Sequence, residues 1–336
     1  MFSFRIFPTA LLFIFLVSCE DSRYDVDTAQ VNYEPVFLRL DKDLFNSGLK
    51  DEQWLTNINS KYKGFSSIYF EEIMRIGNPA NSMTAPLAER FTSDVIWREL
   101  QNTIEAEYPN MDTETQVMAE ALKKYSVHFN ETNIPGLVAY NSGYNVGVYP
   151  SNEWLGVGLE WYCGTDHKVI DQLPADLFPE YKVQKMQRQY LVPNALKGFL
   201  YFKFQDQLAN TNVLDRIVYA GKIHFLTDVL LSSVEPTTIL NYSQAEYDWC
   251  EDNSILIWEY FLTNDLFYNE DPMQINKLVG DGPFTPGMPV ESPGGVGNWV
   301  GYRMIAEFMD SNPDVSLEDL MNMKNNQVFL EYYNLK

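Results

Sequence analysis

Histidine, cysteine and positive charge are scarce in this chain. Its 336 residues hold three histidines and three cysteines, and only 24 lysines and arginines against 46 aspartates and glutamates. Each shortage removes a class of function. His128, His167 and His224 are too far apart for any two to share a helical turn, and no His-Glu-x-x-His occurs. The zinc-protease arrangement, two imidazoles one turn apart around a glutamate base, is therefore missing. No Gly-x-Ser-x-Gly elbow offers an activated serine. Cys163-Gly164-Thr165-Asp166-His167 places thiol, carboxylate and imidazole close in sequence, yet catalytic Cys–His pairs are assembled across a fold and not along a chain. No cofactor or resident metal is expected. The formal net charge of −22 repels nucleic-acid phosphates and disfavours lying flat on anionic lipid.

What is present begins at the N-terminus. One cation, Arg5, precedes the apolar run Ala10-Leu11-Leu12-Phe13-Ile14-Phe15, and Leu16-Val17-Ser18-Cys19 closes it with a small residue before a cysteine. The run is too short to span a bilayer and has the order of a lipoprotein signal peptide. Residues 1–18 are read as that signal, Cys19 as the lipidated residue that carries palmitate-type chains, and residues 19–34 as a flexible, polar tether that stands the body off the membrane. Residues 35–336 are read as a single domain. Apolar residues make up 46% of the chain, enough for a substantial core. Beyond the cytoplasm Cys163 and Cys250 are able to pair as a disulfide, but both sit beside aromatics, so two separate buried thiols fit as well.

Along the body the pattern is mostly helical. Pro35 to Asp41 alternates as a short strand. Asp94 caps a helix carrying Val95, Ile96, Leu100 and Ile104, and Asp112 or Thr113 opens another with Val117, Ala121, Leu122 and Tyr125 as its stripe. Gly136 to Tyr140, Asn145 to Tyr149 and Trp154 to Trp161 alternate around turn residues and predict a small antiparallel sheet. Long helices follow over 183–205, which Pro193 kinks or splits, and over 212–231. Further helices are predicted over 244–264 and 299–309, and Ser316 heads a capping box. The fold class is thus α+β, mostly helical, with a small antiparallel sheet packed against long helices. The Pro- and Gly-rich stretch from Pro283 to Gly301 lacks the Gly-Lys-Ser/Thr ending of a phosphate loop. It is read as a stiff loop packed on the domain, or else as an interaction loop presenting Pro293, Gly294, Gly295, Gly297 and Trp299.

Several stretches in order resemble the GldB family, gliding-motility lipoproteins of Bacteroidetes. They are Cys19, the run from Val36 to Phe45, the run from Trp154 to Glu160, the run from Gly221 to Asp228, and the run from Pro293 to Gly301. The resemblance implies a cell-envelope lipoprotein needed for movement over surfaces, with no known reaction. The layout is also distantly similar to zinc metallopeptidases, in which one helix carries His-Glu-x-x-His and the next a further acidic ligand. Here the first helix has Pro193-Asn194-Ala195-Leu196-Lys197, and the second has Ala220-Gly221-Lys222 where the acid belongs. A lysine there repels a cation, so the likeness implies a degenerate, zincin-like scaffold, a pseudoenzyme.

The resulting expectation is a non-catalytic envelope lipoprotein, attached to a membrane through its N-terminal lipid and acting on other envelope or motility proteins. A metal-dependent hydrolase with non-standard ligands and a glycan-binding surface lipoprotein, the latter suggested by seven tryptophans, are the alternatives. Replacing Cys19 by Ala should move the protein out of the membrane fraction and abolish motility, because each lost methylene removes about 0.8 kcal/mol of bilayer affinity. Undiminished membrane association of that variant would count against the lipid anchor.

Overall fold

Strand β2, Gly136–Tyr140, is buried along almost its whole length, so both of its faces must be covered. Its side chains alternate between two separate cores. Leu137 and Ala139 join a large cluster built by the C-terminal helices, and Val138 and Tyr140 join a smaller one built by the N-terminal helices around Leu44, Phe65 and Phe70. A computed structural model describes residues 22–48, 50–208 and 212–333, and in it this strand is the wall between the two cores. Strand β1, Leu38–Arg39, runs parallel to it. Strand β4, Trp154–Gly158, is its other parallel neighbour, and β3, Val148–Pro150, pairs antiparallel with β4 at the edge. The order is β1-β2-β4-β3. On the small-core side of β4 the glycines leave the sheet bare, and a Cβ on Gly156 would lie 2.6 Å from the ring of Phe65.

Two buried carboxylates pin this sheet to its surroundings. Asp41 is fully buried and receives Arg39 in a two-pronged ion pair, Nε to Oδ1 at 2.8 Å and Nη2 to Oδ2 at 2.7 Å. Gln101, on helix Val95–Glu107, donates to Asp41 Oδ2 at 3.0 Å and accepts from Asn141 at 3.2 Å. Glu160, just past β4, accepts on Oε1 from the Ser142 hydroxyl (2.6 Å), the Ser142 amide (2.8 Å) and the Tyr144 amide (3.2 Å). Burial pushes its carboxyl up to about 7, against the pull of those donors. Together these bonds hold the loop between β2 and β3, in which Gly143 and Tyr144 both have positive φ.

The large core is organised on the helix Val213–Leu230, of whose residues only a few reach the surface. Asn212 caps it, accepting from the Asp215 amide at 2.9 Å. It crosses the helix Gly297–Ser311 at backbone contact. A Cβ built on Gly301 would lie 1.9 Å from the Ile217 carbonyl oxygen, and one on Gly221 would lie 2.3 Å from the Gly301 backbone. Phe225 and Leu226 on one helix and Val300, Met304 and Ile305 on the other belong to the same cluster.

Mostly helical with a small sheet is the observed class, but the sheet is mixed and not antiparallel as expected. Parallel and antiparallel strands share a period of two, so alternation alone cannot distinguish them; here β4 inserts between β2 and the β3 hairpin arm. The predicted helix over 183–205 is instead a short turn of helix Glu180–Val183, a 3-10 turn Arg188–Tyr190 and the helix Leu191–Lys203. Pro193 falls in the first turn of the last, where its missing N–H is unneeded, so it neither kinks nor splits the helix. The segment over 244–264 breaks at Asn253 into Gln244–Asp252 and Ser254–Thr263. Helix Asp112–His128 begins without the side-chain cap expected of Asp112 or Thr113, whereas the Ser316 capping box forms as read. Among the described residues, no helix is long and apolar enough to cross a membrane.

The close crossing makes a direct prediction. Gly301→Ala should destabilise the protein by about 3 kcal/mol, the upper part of the range for overpacking a core, in a urea-unfolding titration. Gly48→Ala, whose Cβ would meet nothing within 4 Å, should change stability by less than about 0.5 kcal/mol.

Candidate functional site

The helix Leu191–Lys203 presents Asn194, Lys197 and Tyr201 to one side, the i, i+3 and i+7 spacing of a single face. That face looks across a cleft of about 380 Å³ at His224 of the helix Val213–Leu230, with Gly294 and Asn298 closing one side. A second hollow of about 260 Å³ shares Tyr201, Val279 and Asn298 with it and adds Arg216, so the two form one groove. Lys185, Lys197 and Arg216 line this groove against a single acid, Asp281, in a chain whose net charge is −22.

Lys197 is almost completely buried, and its ammonium donates to the Ile239 carbonyl at 2.6 Å. Burial pushes it down to about 7; Asp281 opposes that fall and Lys185 adds to it. His224 is equally buried, and its Nδ1 lies 2.7 Å from the Ala220 carbonyl one turn back. A carbonyl only accepts, so Nδ1 carries the proton and Nε2 is left as an acceptor. Burial, and then the charge of Lys197, push this imidazole down to about 3. The cleft therefore holds a neutral imidazole beside an amine poised between its two states.

Asn194 and Lys197, from the stretch that the sequence set against a zinc helix, both line this cleft. The lysine expected beside the vacant position, Lys222, does not face the cleft at all. It turns to the other side of its helix, donating to the Met323 carbonyl at 2.7 Å with its charge 5.5 Å from the Phe329 ring. Sequence reading noted Lys197 but assigned the repelling charge to the wrong helix. Asp281, Asn241 and Tyr242 were missed, because they reach the groove from loops distant in sequence. Among the described residues, no group of three or more histidines, cysteines and acids is gathered to hold a metal.

The Pro/Gly stretch packs inward. Pro293, Gly294, Gly295, Gly297 and Trp299 are all buried, so they do not form the exposed interaction loop that was one of its two readings. The Thr285 hydroxyl donates to the Pro293 carbonyl at 2.7 Å and accepts from the Val296 amide at 3.0 Å, and Tyr242 donates to the Gly295 carbonyl at 3.1 Å. Trp299 donates to Glu251, which also takes Arg303. The stretch contributes to the groove only through Gly294 and Asn298.

The remaining sequence candidates lie apart. Cys163 and Cys250 are both free and buried, so they do not form the disulfide; each is held as a separate thiol among apolar side chains. Cys163 Sγ lies 3.7 Å from His167 Nε2. Burial, assisted by Glu160, pushes the thiol up to about 12, and burial lowers the imidazole, the opposite of what a thiolate–imidazolium pair requires. A hollow of about 690 Å³ beside Cys163 is lined by Arg188, whose guanidinium is already committed to Glu114 at 2.7 Å and the Glu107 carbonyl at 2.8 Å. His128 is used by the Tyr24 carbonyl at 2.9 Å. None of the seven tryptophans is exposed. Cys19 and residues 1–18 lie outside the described residues.

A family model described as gliding motility protein GldB matches residues 21–334. No curated protein matches the chain, and no solved structure does.

Lys197 generates a pH prediction. Its charged form is disfavoured in the fold, so between about 7 and the ordinary lysine value the unfolded chain binds more protons and stability rises with pH. The wild type minus Lys197→Met difference in unfolding free energy should grow across that window, by at most about 1.4 kcal/mol per pH unit, in denaturant titrations at stepped pH. A flat difference would mean that Lys197 is not desolvated.

Proposed function

This chain belongs to the gliding motility protein GldB family, a family of gliding-motility-related lipoproteins, and we propose that within it the folded body works by binding and not by turnover. On this reading the protein is a cell-envelope lipoprotein that is anchored through Cys19 and engages other envelope or motility proteins through the groove along the helix Leu191–Lys203. The observation that carries the reading is the buried Lys197 ammonium. It occupies the helix position that a metallopeptidase gives to an imidazole, and it is tied to the Ile239 carbonyl.

The scaffold is proposed to be a degenerate, zincin-like one: a helix with Pro193-Asn194-x-x-Lys197 packs on the small sheet, with the second long helix across the cleft. In a true zinc site the residues on these helices are neutral or anionic donors. A cation in that place works against metal binding and leaves a shaped, hydrogen-bonding hollow. Among the described residues no group of metal ligands is gathered for the hydrolase alternative to build on, and of the seven tryptophans two are buried and five are partly covered. The groove's excess of Lys185, Lys197 and Arg216 over Asp281 favours a partner segment bearing acidic groups.

Two measurements test this. The purified mature protein, incubated with zinc and desalted, should retain far less than one zinc per chain and show no chelator-sensitive peptide hydrolysis; one tight zinc with such activity would overturn the reading. Lys197→Met should fold and stay in the envelope yet slow gliding severalfold, whereas gliding at the wild-type rate would remove the groove from the function.

A further inference from the structure

The segment expected to be a loose tether is strapped to the body. Arg23 donates to the Met309 carbonyl at 2.6 Å, and its guanidinium lies 4.6 Å from the centre of the Tyr24 ring. Tyr24 packs edge-on against Phe225 at 5.8 Å, and its carbonyl accepts from His128 at 2.9 Å. Asp25 pairs with Lys124 at 3.3 Å. Further on, Thr28 donates to Glu120 at 3.2 Å and Tyr33 to the Pro135 carbonyl at 2.7 Å. Side chains 24, 26, 28, 31 and 33 are half-buried against the body while most of those between are exposed. These contacts reach three separate helices and the start of the sheet.

This has a consequence for how the body meets a membrane. Three residue steps separate Cys19 from Ser22, at most about 11 Å of extended chain. A lipid on Cys19 therefore holds the strapped end of the body within that distance of the headgroups. The same end carries the C-terminus of the helix Gly297–Ser311, because Arg23 is bonded to Met309. On this helix the groove residue Asn298 stands eleven residues before Met309, about 16 Å along the axis at 1.5 Å per residue; on the helix Val213–Leu230 the groove residue His224 directly precedes the strap contact Phe225 and points to a different side of the helix.

We infer that residues 22–33 act as an orienting strap. They fix one face of the body, the one around Tyr24, Lys124, His128 and Met309, toward the lipid surface, and so hold the groove, on another side of the same two helices, at a set angle to it. The rigid glycine-linked helix pair transmits the orientation, since a body packed at backbone contact cannot bend between the strap and the groove. The inference rests on the lipid-anchor reading above.

The test uses the full lipidated chain in nanodiscs containing a headgroup-attached nitroxide lipid. A fluorophore is placed in turn at Ser311→Cys, on the strapped end, and at Gln184→Cys, next to the groove residue Lys185; both positions are exposed. Quenching at 311 should exceed that at 184 severalfold. Inserting ten Gly/Ser residues between Asp21 and Ser22 should lower the quenching at 311 and shrink the difference, with palmitate incorporation unchanged. Palmitate present with equal quenching at the two sites would overturn the orientation alone. Palmitate absent, with the chain lost from the disc fraction, would remove the anchor and the orientation with it.

Discussion

The structure depends on one place where two helices touch backbone to backbone. Gly221 and Gly301 have no side chains to separate them, and the carbonyl of Ile217 sits where a Cβ on Gly301 would have to go. Contact at that distance lets the flanking large side chains, Phe225, Met304 and Ile305 among them, interdigitate and exclude water. It also sets the positions of everything attached to the two helices. His224 faces the groove because Gly221 faces Gly301, and Asn298 reaches the groove because its helix begins there. Tyr302 donates to Asp228 at 2.8 Å across the same seam, which adds a directional bond to a contact that is otherwise apolar.

Buried charge is used sparingly and in pairs elsewhere in the molecule. Asp41 is satisfied by Arg39 and Gln101, whereas Glu160 takes three donors from the β2–β3 loop on Oε1 alone and leaves Oε2 buried without a partner. Taking such groups out of water costs several kcal/mol each unless their partners are well aligned. Their effect here is geometric: the Asp41 group ties β1 to the helix Val95–Glu107, and Glu160 fixes a loop whose positive φ values would otherwise be strained. Asp41 lies in the run from Val36 to Phe45, and Glu160 ends the run from Trp154, so two of the stretches that pointed to the family prove to be structural pins. Two more, the runs from Gly221 to Asp228 and from Pro293 to Gly301, supply the helix crossing and part of the groove's lining.

The groove and the strap use different sides of the same two helices, Asn298 and Met309 on one and the neighbours His224 and Phe225 on the other. Under the proposed reading a binding surface would gain from that arrangement, because an anchored body held at a fixed angle loses less orientational freedom on association. A neutral imidazole and a marginally charged lysine in the groove suit recognition through hydrogen bonds and a single favourable charge.

The sequence by itself determined the mostly helical class, the family, and a helix start that is written locally, the Ser316 capping box. These depend on residues a few positions apart, and local chemistry is what a sequence displays. Tertiary structure decided the rest. Strand direction in the sheet, the inward packing of Pro293 to Trp299, the docking of residues 22–33 and the choice of Lys197 over Lys222 as the groove's cation all turn on which distant surfaces meet. The period of a strand is the same whichever way its neighbour runs, and a lysine's side of a helix has meaning only once the neighbouring helices are in place.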